Sequence, residues 1–236
     1  MIFLGATLFF LFAFQTFAHA GALNLTGSGL AQSAFKDISK ELGLAVSYLP
    51  VAPAEPLGII GFDAGVEVTA VSLESNHFSA VGVSSKTIVL PKLHLQKGLP
   101  FGIDVGAIYS NVPGIDVQLV GGEIKYAIIG GNIALPAVAV RAGYTKLLGV
   151  DSLDLSTLSA DVSVSKGITF VTPYAGVGAV QVTSKENDAV LNLQEEKQTL
   201  KKGFVGVKIS LAVINFVLEA DFSDITLYTF RINVGL

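Results

Sequence analysis

Hydrophobic and polar residues alternate with a period of two along most of this chain, and the rhythm breaks off and resumes about ten times. Ile60, Phe62, Ala64, Val66 and Val68 alternate with Gly61, Asp63, Gly65, Glu67 and Thr69. Val138, Val140, Ala142 and Tyr144 do the same against Ala139, Arg141, Gly143 and Thr145. Successive side chains of a β-strand point to opposite faces, so each segment reads as a strand with one apolar face and one small, polar or charged face. The pattern predicts strands near 58–71, 87–97, 101–110, 116–129, 135–146, 155–165, 168–184, 203–212, 214–223 and 226–236.

Alternation alone leaves two destinations. A soluble sandwich or barrel turns the apolar face inward and shows charge to water; a transmembrane barrel shows the apolar face to lipid and turns charge into its bore. Composition separates them. Hydrophobic residues make up 51% of the chain and charged residues 14%, against about 25% charged in an ordinary soluble domain. That is too little charge for a water-covered exterior. Yet the stretch 126–140, the longest apolar candidate beyond the N-terminus, is broken by Gly130, Gly131, Asn132 and Pro136, so it does not read as a spanning helix of ~20 residues. The face opposite the apolar one is rich in Gly, Ala, Ser and Thr, which suits a confined lumen. Aromatics at Phe101, Tyr109, Tyr126, Tyr144, Phe170, Phe204, Phe216, Phe222 and Tyr228 fall near strand ends, where barrels carry their interfacial girdles.

Several classes are excluded or disfavoured by what the chain lacks. There is no cysteine, hence no disulfide framework, no thiolate metal site and no lipid-bearing Cys. A net charge of −4 and a pI near 5.3 offer no basic patch for a phosphate backbone, so nucleic acid is not an expected partner.

Three regions are expected. Residues 1–20 form an apolar run ending in Ala18-His19-Ala20, a small-x-small triplet suited to cleavage of a signal peptide near Ala20. Residues 21–56 hold a helix-like stretch at 30–43, with Leu30, Ala34, Phe35, Ile38 and Leu42 at helical spacing and Gly43 as a stop, then the proline-rich connector 50–56. Residues 57–236 carry the strands. Connections at 97–100, 130–132, 166–167 and near 212–215 are short. Those at 72–86, 147–154 and 185–202 are long, while 111–115 and 223–225 are short exceptions. The joint within 210–218 has no Gly or Pro to mark a turn.

The C-terminus, "YTFRINVGL", places Tyr228, Phe230, Ile232, Val234 and Leu236 on one face. An open sheet edge cannot face hydrocarbon, where an unpaired backbone group costs several kcal/mol, so the first strand must pair with the last. With its leader, strand rhythm, short and long connections in alternation and this ending, the chain resembles the bacterial outer-membrane β-barrel proteins. The blocks "PAEPLGIIGFD" and "TPYAGVGAV" resemble uncharacterised small-barrel families in particular. In the barrel class, alternating hydrophobics with aromatics in the last strand are read by the barrel-assembly machinery. The five residues above match that signal, except that the final position is Leu where Phe or Trp is usual. The resemblance implies an all-β fold, an antiparallel up-and-down transmembrane barrel of about ten strands with eight or twelve as alternatives. It also implies export through a Sec-type route, residence in the outer membrane against lipid and lipopolysaccharide, and a monomer more readily than an oligomer.

The strand phase turns Asp63, Glu67, Lys92, His94, Asp104, Glu123, Lys125, Arg141, Asp161, Lys208, Glu219, Asp221 and Arg231 into the lumen. Confined charges persist only when paired or hydrated. They therefore form either an ion-pair network bracing the wall or a polar pathway for small solutes. About eight strands leave an interior filled by side chains and sixteen leave a channel, so a ten-stranded bore is expected to be nearly full, with the 30–43 helix available as a plug. The rival class is a lipid-modifying hydrolase or acyltransferase embedded in a barrel. After loss of His19 only His77 and His94 could serve as base, and no nucleophile is fixed beside either, so no catalytic residues are assigned. The acidic stretch 185–198 mixes Lys with its carboxylates and lacks the spacing of an oxygen-ligand loop; no metal or cofactor is expected. A secreted soluble all-β protein is the remaining alternative.

Overall fold

The computed structural model describes residues 31–74, 76–81, 87–111, 117–187 and 193–235. The expected leader at 1–20 and the terminal Leu236 lie outside the described residues. One α-helix, Gln32–Val46 (α1), precedes ten strands: Phe62–Ser72 (β1), Thr87–Gly98 (β2), Ile103–Asn111 (β3), Gln118–Gly130 (β4), Ala137–Leu148 (β5), Leu153–Ser165 (β6), Val171–Glu186 (β7), Glu196–Leu211 (β8), Ile214–Phe222 (β9) and Thr226–Gly235 (β10).

Each strand pairs antiparallel with its sequence neighbours, and β1 pairs with β10 to close the barrel. That seam runs in unbroken register from Asp63 opposite Gly235 to Val71 opposite Leu227, so no sheet edge is left to face hydrocarbon. A bulge between Ala127 and Ile129 in β4 shifts its register with β5.

The wall is inside out relative to a soluble protein. Phe62, Val162, Val177, Leu218 and Phe230 are exposed on the outer face, whereas Asp63, Arg141 and Arg231 are almost wholly buried within. This orientation removes the soluble all-β alternative: where the inward face carries the buried charges, the apolar side of the strands is the exterior, and the chain is a transmembrane barrel. The apolar band begins at the end carrying the connections 99–102, 131–136, 166–170 and 212–213. It fades toward the opposite end, where the outward positions become Ser72, Asn111, Gln118, Lys146, Thr183, Lys201 and Thr226. Among the described residues no helix is long and apolar enough to cross a membrane.

Four expectations need correction, while the joint expected near 212–215 is met. Helix α1 runs through Gly43, the expected stop, to Val46. β1 starts at Phe62, not 58, because Gly58 and Gly61 close a turn first, with the Gly61 amide donating to the Gly58 carbonyl at 3.0 Å. The long connection expected at 185–202 shrinks to 187–195, since β7 and β8 run on as a paired ribbon to Ser184–Glu196. The unmarked joint in 210–218 is a two-residue turn at 212–213, with Ala212 held in the left-handed region at φ 55°, a conformation that usually selects Gly or Asn. Phe204 belongs to no girdle; it points into the bore, its ring 6.4 Å from that of Tyr174.

Candidate functional site: a filled bore

The interior has two storeys, and both follow from the inward residues of each strand. At the end with the longer connections, the inward positions are Val71, Leu119, Leu147, Leu153, Leu155, Val180, Val182 and Leu227, all buried. Helix α1 enters there. Its buried stripe of Phe35, Ile38 and Leu42 joins those wall residues in one apolar core, as the three- and four-residue spacing dictates. Gly43 sits directly against Val182, and any Cβ there would collide with that side chain. Polar edges fasten the helix to the rim: Ser39 bonds Ser184 at 2.9 Å, Glu41 accepts the Glu74 amide at 2.9 Å, and Gln198 donates to the Lys36 carbonyl at 3.0 Å.

Below α1 the chain continues without helix or strand through 47–57, bending at 52, 54 and 55 and turning left-handed at Val51, and the wall becomes charged. Such a segment inside a barrel carries backbone groups with no strand to pair with, and each needs a partner. The lumen charges supply them. Glu219 accepts the Val51 amide through both carboxylate oxygens at 3.1 and 2.9 Å and the Tyr174 hydroxyl at 2.7 Å. Asp104 accepts the Leu57 amide at 3.1 Å. Lys125 pairs with Asp104 at 2.9 Å and donates to the carbonyls of Pro53 and Glu55. Lys202 donates to the Tyr48 carbonyl and Arg231 to the Val51 carbonyl, each at 3.2 Å. Ser165 takes the Ala54 amide at 3.1 Å.

The same groups brace the wall. Glu67 lies 2.9 Å from Lys92 through one oxygen and 2.9 Å from His94 Nδ1 through the other. Arg141 Nε is 3.0 Å from Glu123, and Arg231 and Asn233 both bind Asp63. Twelve of the thirteen residues assigned to the lumen by strand phase are buried inside the barrel, and Lys208 is partly buried. The network is not complete: the nearest cation to Asp161 is Lys202 at 3.7 Å, and both Asp221 oxygens lack a hydrogen bond.

His94 completes an arrangement that sequence reasoning missed. Its Nε2 lies 3.0 Å from the Tyr48 hydroxyl while Nδ1 faces Glu67, formally a hydroxyl, a base and an orienting carboxylate in line. Tyr48 is 1% exposed and His94 is fully buried, and neither lines the cavity described below, so the line is a strut between plug and wall. His77 is elsewhere, half exposed at the rim, 3.9 Å from Asp37. A cavity of about 200 Å³ opens at the end with the shorter connections, lined by Pro53, Glu55, Pro56, Lys125 and Lys208 among others. Among the described residues no cluster of three or more His, Asp or Glu side chains could hold a metal ion. Lys202 also escaped sequence reasoning, because it was assigned to a loop; its place in the strand alternation with Phe204 was the available signal.

No protein-family model matches the chain, and no curated protein matches it. Among solved structures it is similar to the translocator domain of the autotransporter NalP from Neisseria meningitidis, at 11% identity over 86% of this chain and 96% of that one with a TM-score of 0.43. It is similar also to the KdgM porin, at 8% identity over 72% and 98% with a TM-score of 0.37. A third likeness is to Ail, the attachment invasion locus protein of Yersinia pestis, at 11% identity over 74% and 95% with a TM-score of 0.31. These solved structures share a barrel architecture with this chain, and at such scores the likeness carries nothing further; the transmembrane barrel described above rests on its own strand register and inverted polarity.

Proposed function

We propose that the protein is a bacterial outer-membrane β-barrel, closed at rest by its own N-terminal segment, with a structural role and only a narrow solute passage when that segment yields. The observation that carries this reading is the occupancy of the bore: α1 fills one half, and 47–57 is bonded at successive backbone groups down the other. Free diffusion of solutes needs an unobstructed lumen, and this one is packed along its length. The reading includes export by a Sec-type route with cleavage near Ala20, recognition of the last strand by the assembly machinery, and contact with lipid and lipopolysaccharide as a monomer. The reading gives it no catalytic role, since among the described residues the line of Tyr48, His94 and Glu67 is sealed from solvent.

Single-channel recording in planar bilayers tests it. The intact protein is expected to be silent or to show rare, small openings, and a variant lacking residues 32–57 to conduct steadily. A large, stable conductance from the intact barrel would overturn the closed state. Hydrolysis of a lipid ester by the purified protein, lost in His94→Ala, would replace the structural reading with the enzymatic one.

A further inference from the structure

The plug has a direction. At one end, α1 is fastened to the wall by contacts on the side of the barrel that carries the longer connections. Gln32 donates to the Gln194 carbonyl at 3.1 Å and accepts the Gln194 amide at 2.9 Å. Lys40 pairs with Asp224 at 3.1 Å in the β9–β10 connection, and Glu41 takes the Glu74 amide just after β1. Ala31, Ser33 and Lys36 are exposed on that face. At the other end, Glu55 accepts the Gly167 amide at 3.0 Å and Leu57 reaches Asp104, beside the turns that join β6 to β7 and β2 to β3. Between these two ends Tyr48 meets His94, Val51 meets Glu219 and Ala54 meets Ser165, so 47–57 is in contact with the wall along its course.

Strand β1 then starts from the short-turn end and runs back toward α1. The segment 31–57 therefore traverses the bore once, from the long-connection face to the short-turn face, before the wall begins. The β1–β10 seam is fully paired, so there is no lateral slit for the segment to have slipped through after closure.

In transmembrane barrels the short turns face the periplasm and the long connections face the exterior. Resting on the outer-membrane reading above, we infer that the bore holds the chain with its N-terminal side outermost: the barrel carries the segment ahead of β1 across the membrane, and the exposed face of α1 at Ala31, Ser33 and Lys36 is presented at the cell surface. The protein thus performs one act of polypeptide export on itself. The body of α1 stays in the bore, and the plug is anchored at the periplasmic mouth through its continuation into β1.

The absence of cysteine makes this directly testable, because each introduced thiol is the only one. Ser33→Cys and, as a second helix position, Lys36→Cys report on α1. Asp151→Cys reports on the β5–β6 connection, and Ala134→Cys on the β4–β5 turn. Whole cells are treated with a membrane-impermeant maleimide before and after the outer membrane is permeabilised, and heat-modifiable migration is checked for every variant. Expected is full labelling of Ser33→Cys, Lys36→Cys and Asp151→Cys in intact cells, with Ala134→Cys labelled only after permeabilisation. Labelling of Asp151→Cys in intact cells, with both helix positions reacting only after permeabilisation, would overturn the inference and leave the outer-membrane reading standing. Labelling of Ala134→Cys in intact cells and of Asp151→Cys only after permeabilisation would overturn it by inverting the barrel. Recovery of all four variants in the soluble periplasm would overturn the outer-membrane reading itself.

Discussion

Glu67 faces Lys92 and His94 at once from a site that is 2% exposed, and such a group matters more by its removal than by its presence. A buried ion pair gains little net energy over an apolar packing, but deleting one partner strands the other, at about 3–5 kcal/mol. Glu67→Ala is therefore expected to lower the unfolding free energy of the refolded barrel by that amount, measured by urea titration followed by far-UV circular dichroism because the chain has no Trp. The pair two residues along makes the contrast. Thr69 and Thr229 share a hydrogen bond of 3.0 Å across β1 and β10, and replacing both by Val removes donor and acceptor together, so the double variant is expected to change the unfolding free energy by less than about 1 kcal/mol. Phase alone located Glu67, since the strand period of two assigns every second residue to one face. It could not locate Tyr48. No local pattern says that an irregular stretch after a helix will enter a lumen, although inward Gly106 and Gly143 hold the space: a Cβ on Gly143 would come within 2.8 Å of Tyr48 Cβ.

Helix α1 is tethered as well as packed. The Lys40 ammonium is held above its ordinary value of 10.5 by its hydrogen bond to Asp224, against a smaller opposing effect of burial. For a base whose folded value is raised, the contribution to stability is complete below the unfolded value and disappears as pH climbs through the folded one. The tether is thus intact across neutral pH, and on the alkaline side it lets go above about 10.5. Hydrogen exchange of the α1 amides is expected to accelerate in that alkaline range in the intact protein, beyond the intrinsic pH effect, and Asp224→Asn is expected to abolish this extra step. At this scale the sequence was informative about strands and poor about their limits. Ten strands and a helix of helical spacing were legible because each has its own period. The extent of β7 and β8 was not, because beyond the lipid their outward residues become Lys, Thr and Gln and the apolar signal vanishes while the backbone pairing goes on. The turn at Ala212 was legible only from the strands on either side of it: its left-handed residue is not the Gly that such a turn advertises.

The inversion of polarity decides the behaviour of the whole molecule, and it can be tested where the wall is most uniform. Tyr126, Val140, Val162 and Val177 stand abreast on β4, β5, β6 and β7, all outward and all well inside the apolar band. On a water-facing surface, Val162→Arg would shift stability by no more than about 0.5 kcal/mol. In hydrocarbon near the midplane, the same change costs about 2–4 kcal/mol, falling to about 0–1 at the interface. Thr199 is outward and exposed as well, but it lies on the β8 ribbon toward the end where α1 docks. Refolding titrations into phospholipid vesicles are therefore expected to show a large loss for Val162→Arg and almost none for Thr199→Arg, and transfer of both variants to a detergent micelle, which deforms around a charge, to shrink the gap. Equal, small effects at the two positions would mean that the belt does not lie in lipid, and the plug would then seal a compartment against nothing.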